Sequence, residues 1–111
     1  MRMIFAGLLL VALSTALGAQ EKSPRLTTVT PDTGKPGEEY LAAGENLSKD
    51  VVKEMYLTNG KDDIKVQTVT QKDESIQFKV PGDTKPGRYA LMVLTADGKR
   101  FIEQPVRLTI E

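Results

Sequence analysis

Pro-Gly, Asn-Gly and Asp-Gly dipeptides divide the chain into short segments. These predicted turns constrain the fold more than any other feature of the sequence. Pro36-Gly37 and Pro86-Gly87 each follow a lysine and precede a tyrosine and an apolar run. Proline fixes φ near −65° and glycine accepts the positive φ that follows, so both pairs predict type II turns. Asn59-Gly60 and Asp97-Gly98 are typical of type I′ hairpins, in which two adjacent residues have positive φ.

The segments between these turns have the composition and spacing of β-strands. Ser75–Val80 and Val106–Ile110 alternate apolar and polar residues, as half-buried strands do. Arg88–Thr95 is apolar almost throughout, which predicts a central strand covered on both faces. Short runs at this spacing predict an all-β fold, an antiparallel sandwich or barrel. The other predicted strands are Arg25–Thr30, Glu39–Ala43, Val51–Thr58, Ile64–Thr70 and Arg100–Glu103.

Two positions bear on where the strands begin. The apolar residues of Leu47–Tyr56 also fall at helical spacing, so a helix is an alternative there, although the Asn59-Gly60 turn that follows favours a strand entering a hairpin. Pro105 has no N–H to give to a sheet, and it is expected to open the last strand at an edge.

The apolar positions of these strands predict the core. Burial of a large side chain contributes about 1.5–3 kcal/mol, so such a core can offset the ordering entropy of one small domain. It must do so without disulfides, because the chain of 111 residues has no cysteine. The predicted core consists of Leu26, Val29, Leu41, Met55, Leu57, Ile64, Val66, Ile76, Phe78, Val80, Leu91, Val93, Leu108 and Ile110.

The N-terminus has the three parts of a secretory signal peptide. Arg2 supplies the positive charge, Ile4–Leu13 is an apolar core, and Ala16 and Gly18 suit a signal peptidase. Cleavage after Gly18 or Ala19 is expected, which would place the protein in the periplasm, in the cell envelope or outside the cell. The alternative is an uncleaved anchor, but the uncharged stretch is shorter than the roughly 20 residues that a spanning helix needs.

The predicted domain organisation follows from this assignment. Residues 1–19 are the signal peptide, residues 20–24 are a short linker, and residues 25–111 are a single domain. No membrane span is expected after cleavage.

Two parts of the domain together resemble the IPT/TIG family, whose members are immunoglobulin-like β-sandwiches. Pro31–Gly37 (PDTGKPG) is followed by Tyr40–Leu47 (YLAAGENL), which contains the family's G-x-N-[LF] element. Val80–Val93 (VPGDTKPGRYALMV) contains its V-P and G-x-Y elements. The resemblance covers about Ser23–Glu111 and implies an immunoglobulin-like sandwich that serves as a binding, dimerisation or spacer module.

The matching positions are interpreted as structural. Gly44 and Asn46 are expected to permit an unusual backbone turn at the end of a strand. Leu47 is expected to cap one end of the core, and Tyr89 to pack with its hydroxyl at the rim.

No group of residues predicts catalysis, so no catalytic, cofactor-binding or metal-binding residue is assigned and no enzyme is expected. The chain has neither histidine nor cysteine, which removes the usual bases, nucleophiles and metal ligands. The acidic pairs Glu38-Glu39, Asp62-Asp63 and Asp73-Glu74 lie in or beside turns, and adjacent strand residues point to opposite faces. A structural calcium site at Asp62-Asp63 or Asp97-Gly98 remains an alternative, although the spacing of a calcium loop is absent.

The net charge and the aromatic residues limit the classes of partner that this protein can be expected to bind. Fifteen basic and fifteen acidic residues balance, and the lysines are interspersed with acids, so nucleic-acid binding is not expected. Tyr56 and Phe101 are expected to be half-buried. The sequence predicts an exported, non-catalytic module that binds a protein through a sheet edge or the loop ends. The alternative is a carbohydrate-binding surface or accessory module, for which an exposed Tyr56 or Phe101 would be the contact.

Overall fold

The computed structural model describes residues 23–111, which form nine β-strands in two sheets packed face to face. The four-stranded sheet has the order β1 (Arg25–Thr30), β3 (Glu39–Glu45), β7 (Ser75–Lys79), β6 (Gln67–Lys72). The five-stranded sheet has the order β2 (Thr33–Gly34), β9 (Phe101–Ile110), β8 (Gly87–Thr95), β4 (Val52–Thr58), β5 (Asp63–Lys65).

The strand order identifies the architecture. All pairs are antiparallel except β2 with β9. The orders β1-β3-β7-β6 and β9-β8-β4 are those of the two sheets of an immunoglobulin sandwich. The predicted immunoglobulin-like, all-β fold is therefore confirmed. The signal peptide and residues 20–22 of the linker lie outside the described residues, and residues 23–111 include no helix with the length and hydropathy of a membrane span.

The predicted strand Ile64–Thr70 is in fact two strands in different sheets. β5 ends at Lys65 and β6 begins at Gln67, so Val66 alone carries the chain from one sheet to the other. The buried Val66 donates its N–H to the carbonyl of Met55, at 3.1 Å. β-Branched residues occur on both sides of Val66, so the sequence predicts one continuous strand there.

The two predicted strands at the C-terminus are one strand, β9, and the expectation that Pro105 begins a strand is wrong. Ala90 pairs with Arg107 and Met92 pairs with Glu103, so β9 carries two extra residues opposite β8. Pro105 lies in this irregularity, where a missing N–H removes no regular ladder bond.

The two Lys-Pro-Gly segments differ in their turns but share a tyrosine contact. Gly37 has φ of 84° and Glu38 donates its N–H to the Lys35 carbonyl, so the first is the predicted type II turn. Gly87 has φ of 158° and is the first residue of β8, so the second prediction was wrong. In both segments a tyrosine hydroxyl donates to the lysine carbonyl at 2.7 Å, from Tyr40 to Lys35 and from Tyr89 to Lys85.

The two predicted type I′ hairpins are also longer loops. Only the glycines, Gly60 at 91° and Gly98 at 74°, have positive φ. Residues 59–62 join β4 to β5, and the side-chain oxygen of Asn59 accepts the N–H groups of Lys61 and Asp62. Asparagine therefore acts here through its side chain, as in an Asx turn, and its backbone does not adopt the left-handed conformation.

The segment Leu47–Tyr56 consists of one turn followed by the first part of β4. Val51 and Val52 both donate their N–H groups to the Ser48 carbonyl; strand pairing with β8 begins at Val52 and is regular from Glu54. The strand interpretation of Leu47–Tyr56 is confirmed over Val52–Tyr56, and the helix alternative is reduced to a single turn. Asn46 has φ of 58°, as expected for a residue that turns the chain out of a strand.

The core lies between the sheets and agrees with the prediction except at two positions. Leu41 is 44% exposed, because Tyr40 takes the inward position and its ring stacks on Phe78 at a centroid distance of 5.7 Å. Ile64 is only partly buried. The central strand β8 is buried over six consecutive residues, and Leu47 and Tyr89 are buried as expected. In the core between the sheets, the further buried residues that the prediction omitted are Tyr40, Ala42, Val51, Val52 and Val106.

Candidate binding surface on the five-stranded sheet

Within residues 23–111, the most exposed aromatic side chain lies on the outward face of the five-stranded sheet. Strand alternation turns Met55 and Leu57 of β4 into the core, which leaves Tyr56 on the outside. Met92 and Leu94 of β8 also point outward, and so does Phe101 at the start of β9. We call Tyr56, Met92, Leu94 and Phe101 the aromatic surface.

Strand register brings these four side chains together. Tyr56 is paired with Met92 across β4 and β8, and Leu94 is paired with Phe101 across β8 and β9. The two rings approach each other diagonally over β8, with centroids 5.5 Å apart and planes at 71°. This edge-to-face arrangement is one of the favourable geometries for aromatic pairs.

Exposure differs sharply across the aromatic surface. Phe101 is 56% exposed and Tyr56 is half-buried, whereas Met92 and Leu94 are covered by their neighbours. The expectation of a half-buried ring is confirmed for Tyr56 and is wrong for Phe101. Phe101 is exposed because β2 pairs only with Thr109 and Ile110 of β9, so none of the described strands lies beyond β9 at Phe101.

A hydrogen-bonded network holds the ring of Tyr56. The Tyr56 hydroxyl donates to Glu54 at 2.6 Å, and the Lys65 ammonium lies 2.9 Å from the same carboxylate. The bond from Tyr56, and then the bond from Lys65, hold the pKa of Glu54 below its ordinary value. The bond to Glu54, together with burial, raises the pKa of Tyr56. Both shifts favour a charged carboxylate beside a neutral phenol near neutral pH.

Replacement of Tyr56 with phenylalanine is expected to raise the pKa of Glu54 toward its ordinary value, because the carboxylate loses its strongest donor. In the wild-type protein the pKa of Glu54 is lower folded than unfolded. Its contribution to stability is therefore present above the unfolded pKa and is lost as the pH falls through the folded pKa. NMR titration of the Glu54 side-chain carboxyl carbon measures this shift. An unchanged titration midpoint in Tyr56→Phe would show that the phenol does not hold the carboxylate.

Among the acidic residues that the sequence singled out, Glu38, Glu39 and Asp97 have different hydrogen-bond partners. Glu38 accepts the Lys35 N–H, whereas Glu39 accepts a hydrogen bond from Gln77. Asp97 accepts hydrogen bonds from the Thr95 hydroxyl and the Lys99 N–H, which lower its pKa. Within residues 23–111 there is no cluster of three or more histidine, cysteine, aspartate or glutamate side chains that could hold a metal ion.

Comparison with solved structures shows that this chain shares its fold with known proteins, among them one glycan-binding protein. The SGBP-B protein of the mixed-linkage glucan utilization locus of Bacteroides ovatus, determined in complex with a mixed-linkage heptasaccharide, matches with a TM-score of 0.58 and 18% sequence identity. The match covers 80% of this chain and 22% of SGBP-B, so this chain spans about a fifth of that protein. No family model matches the sequence, and no curated protein matches it. The likeness to SGBP-B shows a shared fold, and membership of the IPT/TIG family stays a prediction.

Proposed function

We propose that this protein is an exported, non-catalytic module of the IPT/TIG type that binds another protein through the aromatic surface. The observation that carries the proposal is Phe101, an aromatic side chain that is 56% exposed on the five-stranded sheet. Exposing so much apolar area is unfavourable for an isolated domain and becomes favourable when a partner covers it.

The composition of the aromatic surface suits a protein partner. Interfaces place aromatic residues and methionine at the centre and charged residues at the rim. Here Phe101 and the half-buried Tyr56 form the centre, while Glu54 and Lys65 lie at the side of β5. The two rings stand at 71° to each other, so they do not form the flat two-ring platform on which successive sugar rings could stack.

The proposal of a non-catalytic role rests on the ionisable groups. Within residues 23–111 the groups whose pKa is shifted have structural causes: Glu54 bonds to Tyr56, Asp97 bonds to Thr95, and burial raises the pKa of Tyr40. Shifted groups that point together into a cleft would instead indicate an acid–base pair. Export rests on the signal-peptide pattern of residues 1–19.

The test compares Phe101→Ala with Leu41→Ala in affinity capture from the cell envelope and culture medium of the producing organism. Leu41 is the matched control, because it is 44% exposed and lies on the four-stranded sheet. We expect one protein to be captured by the wild type and by Leu41→Ala, and its affinity to fall at least about tenfold with Phe101→Ala, as for a central interface residue. A protein captured equally by both variants would contradict the assigned surface.

Carbohydrate binding is the second candidate. It is favoured by the exposed ring of Phe101 and by the similarity to SGBP-B, which was determined with a bound heptasaccharide. Affinity electrophoresis in gels containing mixed-linkage glucan tests it with the same two variants. Retardation that Phe101→Ala abolishes and Leu41→Ala keeps would establish glycan binding and displace the protein proposal. Absence of retardation would remove this candidate.

A further inference from the structure

The four outer strands of the sandwich differ in how their open edges are protected. β2 has two residues, and β5 has three residues of which two are charged. The edge of β1 is covered by β9: the Leu26 N–H donates to the side-chain oxygen of Gln104 at 2.8 Å. Short length, charge, β-bulges and covering are the usual ways in which proteins prevent unwanted pairing at a sheet edge. In the described part of the chain, β6 is an edge strand of six residues whose single charge, Lys72, lies at its end and whose irregularity occurs in the pairing with β7.

β6 has the properties of a strand that can accept a neighbour. It runs over Gln67–Lys72 and hydrogen-bonds to β7 on one side only. Its first five residues are uncharged, and the central three, Thr68, Val69 and Thr70, are β-branched. Val69 is 46% exposed at an irregularity in the pairing with β7.

A groove with a positive rim lies beside β6. It has a volume of about 540 Å³ and is formed by Thr68, Val69 and Gln71 of β6 together with Lys49, Val52 and Lys53. Lys49 and Lys53 are exposed, and no carboxylate lines the groove. The Gln71 amide donates to the carbonyls of Leu47 at 2.7 Å and Val52 at 3.0 Å, which fixes the opposite wall to β6. The groove is therefore formed before any ligand arrives.

We propose that β6 accepts an extended, acidic segment of a partner protein as an additional strand of the four-stranded sheet. Main-chain hydrogen bonds to β6 would supply affinity, and side chains entering the groove would supply specificity. Carboxylates of the segment are placed beside Lys49 and Lys53, whose charge they complement. A second copy of this chain fits less well, because pairing through its own β6 would bring the same lysines to both sides of the contact.

The probe is a synthetic nine-residue peptide in which glutamate alternates with valine or threonine. Its control has lysine in place of every glutamate. We expect the acidic peptide to bind at low salt and to protect backbone amides of β6 from hydrogen exchange, while amides of β5 stay unchanged. Lys49→Glu combined with Lys53→Glu should weaken this binding about fivefold or more, since two exposed charge contacts are replaced by repulsions. Both lysines are exposed, so the double variant is expected to fold.

A further variant separates strand pairing from charge attraction. Val69→Pro removes an N–H from β6 and should reduce binding of the acidic peptide, whereas Phe101→Ala, on the other sheet, should leave it unchanged. Equal binding of the lysine peptide, or binding without protection of β6, would overturn the proposal. Self-association of the protein through β6, detected by sedimentation and abolished by Val69→Pro, would also overturn it in favour of a second copy. The result is independent of the aromatic surface, so either proposal can fail alone.

Discussion

Replacing Gly44 with alanine is expected to destabilise the folded protein by about 3 kcal/mol, the upper end of the usual cost of overpacking. An added Cβ would lie 1.9 Å from the carbonyl oxygen of Arg25 and 2.9 Å from the Cα of Leu26. All of the contacted atoms belong to the backbone of β1, so no side chain can rotate away. Either β1 or β3 must move.

That movement would reach the core and the cover of the β1 edge. Gly44 pairs with Leu26 next to an irregularity in the pairing of β1 with β3, and Leu26 is fully buried. Leu26 also carries the N–H that Gln104 accepts. A shift of β1 therefore strains an apolar contact and a buried hydrogen bond together, and 3 kcal/mol is a large share of the roughly 5–15 kcal/mol that stabilises a typical domain.

Thermal and urea unfolding of Gly44→Ala measure this cost, with Gly82→Ala as the matched control. A Cβ at Gly82 meets no atom within 4 Å. The control should be neutral or more stable by up to about 1 kcal/mol, because alanine restricts the unfolded chain. Gly44→Ala should lower the melting temperature by more than about 10 °C in a domain of this size. Equal melting temperatures for the two variants would show that β1 can move aside without cost.

The Gly44 contact shows what the sequence could predict and where it failed. The G-x-N-[LF] element predicted a turn at this place, and Asn46 does have φ of 58°. The requirement at Gly44 is different, since an added Cβ there would collide with another strand. The close approach occurs next to an irregularity in the pairing of β1 with β3, which the alternation of either strand alone does not reveal.

The alternating strands were the most predictable part of the fold. Ile76, Phe78 and Val80 were assigned to the core from period-2 alternation, and all three are buried. In Glu39–Glu45 the pattern is ambiguous, because Tyr40 and Leu41 are both large and adjacent. Only one can face inward, and the hydroxyl of Tyr40 reaches the Lys35 carbonyl from that position. Tyr40 therefore faces inward in place of Leu41, and its hydrogen bond cannot be inferred from the periodicity of apolar residues.

The candidate surfaces were less predictable than the core. Tyr56 and Phe101 were identified as possible contacts, but their exposure depends on which strands lie beside them. β9 extends well beyond β2, which leaves Phe101 uncovered. The sequence predicts one strand where the structure has β5 and β6, so it does not reveal the sheet edge formed by Gln67–Lys72. Edges are properties of the strand order, whereas periodicity describes one strand at a time.

Gln104 is a polar residue at an inward position of β9. In β9 the inward positions are Ile102, Gln104, Val106, Leu108 and Ile110. The two extra residues of the irregularity keep this alternation, because two is the period of a strand. A glutamine among apolar residues on an inward face must satisfy its amide from within the protein. A strand that begins at Pro105 excludes Gln104, so the predicted strand does not show that this glutamine lies on the inward face.

Gln104→Leu is expected to destabilise the protein by about 2 kcal/mol, the typical cost of leaving a buried donor unpaired. Gln104 is 4% exposed, and its side chain joins the sheets: the oxygen accepts the Leu26 N–H at 2.8 Å, and the nitrogen faces the carbonyls of Pro24 and Ile102 at 3.5 and 3.4 Å. Leucine is similar in size, so the change removes the hydrogen bonds and leaves little cavity. The Leu26 N–H would then be buried without an acceptor.

Urea unfolding of Gln104→Leu and Gln77→Leu separates this effect from the general cost of removing an amide. Gln77 lies on the outward face of β7 and donates to Glu39 at an exposed position, so its replacement should change stability by no more than about 0.5 kcal/mol. Gln104→Leu should also accelerate hydrogen exchange at the Leu26 amide, which a change confined to packing would not do. Similar stability losses in both variants, with exchange at Leu26 unaltered, would mean that packing alone covers the edge of β1. The hydrogen bond from β1 to Gln104 would then have no part in leaving β6 as the open edge of its sheet.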